Sequence, residues 1–140
     1  MMYFTEKEQL ELNNSIKLLK LKPTMNPLSC SVEYLILASQ DANFVTRAVV
    51  AVNPRTPIDI IIKLSKDEHY YVRMYAAKNR NLPPEILTHL SDDKHWLVKV
   101  HVAQNINTPI DTLIKLSKSY IDKVRDSATE TRIRKLNLLK

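Results

Sequence analysis

Asp41, Asp67 and Asp93 stand 26 residues apart, and the same interval separates Asn53, Asn79 and Asn105. Ser39, Ser65, Ser91 and Ser117 form a third column, while Ser119 and Thr131 take the next slots of the Asp and Asn columns. A unit this short cannot bury its own apolar face. It therefore builds its core against its neighbours, and several units in a row form one continuous interior. Four units are legible over roughly residues 26–131.

Each unit divides into two short helical patterns. The first opens where Thr precedes Pro, as in Thr56-Pro57-Ile58-Asp59 and Thr108-Pro109-Ile110-Asp111. Thr as N-cap, with Asp three residues on, is the arrangement of a capping box, and Pro suits the first helical position. Two apolar columns three residues apart follow, Leu35, Ile61, Leu87, Leu113 and Ala38, Leu64, Leu90, Leu116. That is helical spacing, and both columns are expected in the core. The Asp column then marks a turn. Beyond it a second helix carries Thr46, Val72, Val98, Val124 and, four later, Val50, Ala76, Val102, Ala128 on its buried face. Ala51, Ala77 and Ala103 are small enough to let helices approach closely. Helices of about nine residues are marginal alone, so stacking must stabilise them.

The two ends do not repeat. Residues 1–25 hold Thr5 and Glu8 in capping-box relation before an amphipathic pattern, and residues 121–140 read as one long basic helix. Both are expected as helical caps. The whole reading is a single all-α domain over residues 1–140, a right-handed α-solenoid of four two-helix repeats of about 26 residues between capping helices.

The pattern N-x-x-T-P-I-D-x-L-I-K-L-S-K, followed by D-x-x-x-x-V-R-x-x-A-A-x-N, resembles the leucine-rich repeat variant family and, more broadly, HEAT-like helical repeats. Asp67, Val72, Arg73 and Ala77 stand at the family's spacing, as do Asp93, Val98 and Ala103. The resemblance covers about three quarters of the chain. It implies a binding surface, mostly for proteins and in some members for nucleic acids. An iron–sulfur cluster found in some members needs a Cys-rich segment, whereas Cys30 stands alone here, so the cluster is not carried over.

Composition narrows the function classes. The chain has no glycine, which removes phosphate-cradling loops, dinucleotide fingerprints, EF-hand loops and nucleophile elbows together. One cysteine makes neither an internal disulfide nor a Cys-rich metal site. No apolar run approaches membrane-spanning length, and the first residues lack a signal-peptide pattern, so a cytoplasmic protein is expected. No enzymatic constellation is legible, no cofactor is expected, and the histidines give no zinc spacing. The net charge is +6, and half of it falls in residues 122–140, where six Lys or Arg face three acids.

Two candidate surfaces follow. Second helices commonly line the concave side of such stacks, and Tyr71, Tyr75, Lys78, Trp96 and His101 lie on them as the expected patch for a protein partner. The alternative is nucleic acid, gripped by basic and aromatic residues of the second helices and by Arg125, Arg132, Arg134 and Lys135. The column Arg47, Arg73, Lys99, Arg125 could likewise track phosphates. Each of its first three members precedes a small Ala by four and so faces a neighbouring helix; the resemblance implies an internal Asp–Arg ladder there instead. Phe44, Tyr70 and Trp96 share a column expected to pack between units, and Asp59–Lys63 and Asp111–Lys115 are expected as self-neutralising helix pairs.

Overall fold

The computed structural model describes residues 31–140, so the expected leading helix, with Thr5 and Glu8, and the lone Cys30 lie outside the described residues. These form helices α1 (Val32–Ala38), α2 (Phe44–Val52), α3 (Ile58–Leu64), α4 (Tyr70–Lys78), α5 (Pro84–Leu90), α6 (Trp96–Gln104), α7 (Ile110–Leu116) and α8 (Asp122–Leu138). Among the described residues there is no strand, and no helix is long and apolar enough to cross a membrane. Seven-residue and nine-residue helices alternate up to the seventeen-residue α8. Each nine-residue helix packs on the next, α2 on α4, α4 on α6 and α6 on α8, with the seven-residue helices seated beside them.

The alternation follows from how each column of the sequence closes a helix end. At the four serines the hydroxyl donates to the carbonyl three residues back, at 2.6, 2.7, 2.7 and 2.8 Å for Ser39, Ser65, Ser91 and Ser117. That uses carbonyls left without an intrahelical donor and stops the seven-residue helix. Two residues further on, the carboxylates of Asp41, Asp67 and Asp93 accept the backbone N–H of Asn43, His69 and His95 at 2.7, 2.9 and 2.8 Å. Ser119 repeats the bond to Ile121 at 3.2 Å. This side-chain turn aims the chain into the next helix. Asn43 Oδ1, His69 Nδ1 and His95 Nδ1 then cap α2, α4 and α6 by accepting the N–H two residues on. A ring nitrogen that accepts carries no proton, so both histidines cap as imidazoles bare at Nδ1.

The expected core columns are buried throughout, with Ile61, Leu87 and Leu113 at 0% exposure, except that Thr46 is only half-buried. Ala51, Ala77 and Ala103 are fully enclosed where successive nine-residue helices meet. Burying each Leu or Ile contributes about 1.5–3 kcal/mol, which is what holds helices this short.

The threonines differ from expectation. Pro57 and Pro109 occupy the N-cap positions of α3 and α7, and neither helix has a side-chain cap. The Thr56 and Thr108 hydroxyls turn the other way and donate at 2.6 Å to the Val50 and Val102 carbonyls. Burial decides this. Both threonines are enclosed beside the unfinished end of the preceding helix, whereas Asp59 and Asp111, the expected capping-box partners, are exposed.

Two polar ladders link positions across neighbouring nine-residue helices. Asn79 Nδ2 donates to the carbonyls of Ala51 and Asn53 at 2.8 and 3.1 Å, and Asn105 Nδ2 repeats this on Ala77 and Asn79 at 2.7 and 3.1 Å. Their Oδ1 atoms accept from Asn81 and Asn107 N–H, both at 2.9 Å. The second ladder joins Arg47 to Asp67 and Arg73 to Asp93 through paired N–H···O bonds of 2.7–3.0 Å. In each rung Nη1 also donates to two carbonyls at the turn before the arginine's own helix. Burial alone would raise the Asp67 and Asp93 carboxyls, but the guanidinium and the backbone N–H outweigh it and hold both below the usual carboxylate range. Two members of the basic column are thus spent inside the fold.

Candidate functional site

The nine-residue helices present different chemistry at their two ends. At their starts the rings interleave: Phe44 stacks on His69 at 3.8 Å, His69 on Tyr70 at 5.1 Å and Tyr70 on His95 at 3.8 Å, with interplanar angles of 12°, 23° and 9°. The Phe44, Tyr70, Trp96 column therefore packs between helices, and Trp96 lies half-buried against the core. The histidines fill the gaps between aromatic rings. Among the described residues, no three His, Cys, Asp or Glu groups gather as metal ligands.

Tyr71 departs from the exposed position expected of it. It is 3% exposed, part of the core, with its ring edge-on to Tyr75 at 4.8 Å and its hydroxyl donating to the Tyr75 hydroxyl at 3.2 Å. Burial, and then the Tyr75 hydroxyl, push its phenol far above the ordinary tyrosine range. Tyr71, Val72, Arg73 and Met74 are four consecutive buried residues, so this turn of α4 is covered on more than one face. Tyr75 stays half-buried, with the Lys78 ammonium 5.7 Å from its ring centre.

At the other end of these helices the chain opens into a cleft of about 420 Å³. The ends of α4 and α6 and the far end of α8 form it: Lys78, Arg80, His101, Gln104, Asn105, Ile106, Arg134 and Leu138. A nine-residue helix is about 13 Å long, so the ring stack and the cleft sit one helix length apart. Lys78 and His101, from one expected set, meet Arg134, from the other; Tyr71 and Trp96 do not line the cleft. Burial, and then the Lys78 charge, lower the His101 imidazole from 6.5 to about 4, so it stands neutral in a cationic site at neutral pH. Lys78 and Arg80 meet no carboxylate among the described residues.

Three of the remaining basic candidates, Arg125, Arg134 and Lys135, are engaged. Arg125 pairs with Asp122 at 2.9 Å and Asp126 at 3.6 Å, and Lys135 Nζ donates to the Thr108 carbonyl at 2.8 Å. Arg134 pairs with Glu130 at 2.7 Å while still lining the cleft, and Arg132 is half-exposed. Lys115 reaches Asp92 at 2.6 Å on the preceding helix pair, in place of the expected pairing with Asp111.

Sequence reasoning missed Arg80, Asn105, Ile106 and Leu138 as lining residues. A signal existed: Arg80 and Ile106 share one column, one position past the Asn column. Leu138 lies beyond the repeating part and had none.

Among the described residues these features define an all-helical protein whose neighbouring helices pack on one another and which has a polar cleft where two nine-residue helices and α8 end. The chain matches no protein-family model and no curated protein.

Proposed function

We propose that the chain is a non-enzymatic, cytoplasmic scaffold of the leucine-rich repeat variant or HEAT-like kind. On this reading it is a right-handed α-solenoid of four two-helix repeats that binds a protein partner along its second helices. The architecture is supported by the Asn ladder, which joins positions 26 apart, and by the Arg–Asp rungs that accompany it. The function is carried by one observation: the half-buried Tyr75 and exposed Lys78 lead directly into the cleft at His101 and Arg134. A concave site beside a partly exposed aromatic residue is the usual form of an interaction hot spot.

Capture of partners from source lysate on immobilised protein tests this, comparing wild type with a Tyr75→Ser, Lys78→Glu double variant. Loss of a specific partner from the variant, with its melting curve unchanged, supports the reading. Retention of every wild-type partner removes it. Nucleic acid remains the second reading because Lys78 and Arg80 meet no carboxylate among the described residues. The acids paired to Arg125 and Arg134 stand against a continuous phosphate track.

A further inference from the structure

We infer that the cleft at the ends of α4, α6 and α8 binds an acidic peptide segment in which Asp or Glu alternates with an apolar residue. This rests on the scaffold reading above and specifies the chemistry that the partner must present.

Charge argues for the acidic half. Lys78, Arg80 and Arg134 enter one cavity, and only Arg134 has a carboxylate beside it, at 2.7 Å from an exposed Glu130. Three cations against one acid leave the site positive by two. An arginine whose ion pair is this exposed exchanges carboxylates at little cost, since water screens such pairs. An incoming carboxylate can therefore displace Glu130 without leaving a buried group unpaired, and Arg80 and Arg134 offer the forked donors that carboxylates fit. Neutral His101 in the same lining adds a ring that can both donate and accept; burial first, and then the Lys78 charge, disfavours its protonation.

Shape argues for the apolar half and against a nucleotide strand. Ile106 and Leu138 supply the aliphatic part of the lining, and Leu138 is 74% exposed. No Phe, Tyr or Trp lines the cleft, whose one ring is the His101 imidazole, and the Phe44, His69, Tyr70, His95 stack is at the other end of the helices. Single-stranded nucleic acid is held by successive bases stacked on several exposed aromatic faces, and the cleft offers only the largely buried His101 ring. An aliphatic lining beside guanidinium groups fits a side chain such as Leu flanked by carboxylates.

Fluorescence anisotropy on the whole chain tests this with three labelled probes: a peptide alternating Glu with Leu, its counterpart with Gln for Glu, and a single-stranded oligonucleotide of equal charge. The expected result is binding of the Glu peptide at least tenfold tighter than either of the others. An Arg80→Gln, Arg134→Gln variant, matched to wild type by circular dichroism and melting temperature, should lose at least tenfold for the Glu peptide. Leu138→Ser should weaken it several-fold. Equal affinity for the Glu and Gln peptides overturns the proposal, as does a variant that binds like wild type. Tighter oligonucleotide binding that depends on Arg80 and Arg134 overturns it in favour of a phosphate ligand. The two readings separate cleanly. If the lysate partner is lost with Tyr75→Ser, Lys78→Glu but kept with Arg80→Gln, Arg134→Gln, the scaffold stands and the acidic-peptide cleft falls.

Discussion

Asp93 receives Arg73 twice, Nε at 2.7 Å and Nη2 at 3.0 Å, from a guanidinium that begins on the preceding nine-residue helix. Their side chains are 6% and 9% exposed, so neither charge has water to fall back on. Asp93→Ala strands a buried guanidinium and also removes the acceptor for His95 N–H. A loss of about 3–5 kcal/mol is expected in urea unfolding. Adding Arg73→Met to that variant should recover part of the loss. A double variant no better than the single one would show that the turn, and not the ion pair, dominates.

The rung is missing one step further along, where Lys99 and Ser119 take the Arg and Asp slots. Asp at position 119 can keep the bond that the Ser119 hydroxyl makes to Ile121 N–H. Lys99→Arg with Ser119→Asp should therefore add a rung and raise stability by about 1 kcal/mol, the order of a well-formed, partly buried pair. Each single change should yield less than half of that by the same unfolding measurement.

Asn105 satisfies two carbonyls and one N–H outside its own residue. Asn105→Ala leaves the Ala77 carbonyl and the Asn107 N–H without this partner, while the Asn79 carbonyl keeps Leu82 N–H; at about 1–3 kcal/mol for each unsatisfied group, a net loss of about 2–4 kcal/mol is expected. Asn105→Asp keeps the acceptor but loses the donor, and should fall nearly as far. Leu87→Ala, at a fully enclosed core position, should cost about 2–5 kcal/mol. Thermal melts monitored by circular dichroism check all three.

His101 makes stability depend on pH. Its folded value of about 4 lies below its ordinary 6.5, so the unfolded chain takes up the proton first. Stability should fall as pH drops from about 6.5 to about 4, and His101→Gln should flatten that part of the curve. Asp67 and Asp93 are held below the ordinary 3.8, so their contribution is full above that value and disappears at lower pH. An unchanged slope in His101→Gln between pH 6.5 and 4 would overturn the assignment to His101.

The interior was legible because the columns at Leu35, Ile61, Leu87 and Leu113 are apolar at a fixed interval, and period alone assigns them to the core. Tyr71 was not legible. Reading one buried face per helix sends it outward, whereas α4 packs against α2, α3 and α6 and buries four residues in a row. Thr56 misled for a related reason: a Thr before Pro reads forward as a cap, and only the finished structure brings the Val50 carbonyl, at the end of the preceding helix, within reach of its hydroxyl. The Asn column was visible as a column. Its role was not, because a side-chain amide spanning two helices leaves no trace in local spacing. The cleft was hidden in part because Leu138 stands outside the repeating register.

Every bond in the Asn ladder points one way along the chain, each amide reaching back to carbonyls 26 and 28 positions earlier. Length is therefore a free variable of this architecture. A second copy of residues 67–92 spliced in after position 92 would meet an acceptor behind it and supply one ahead, with every Asn, Arg and Asp still finding its mate. Such a lengthened chain should melt as one cooperative unit at or above the temperature of the original. The end of the chain at α8 would simply be carried farther from α1, like a bracket moved along a rail.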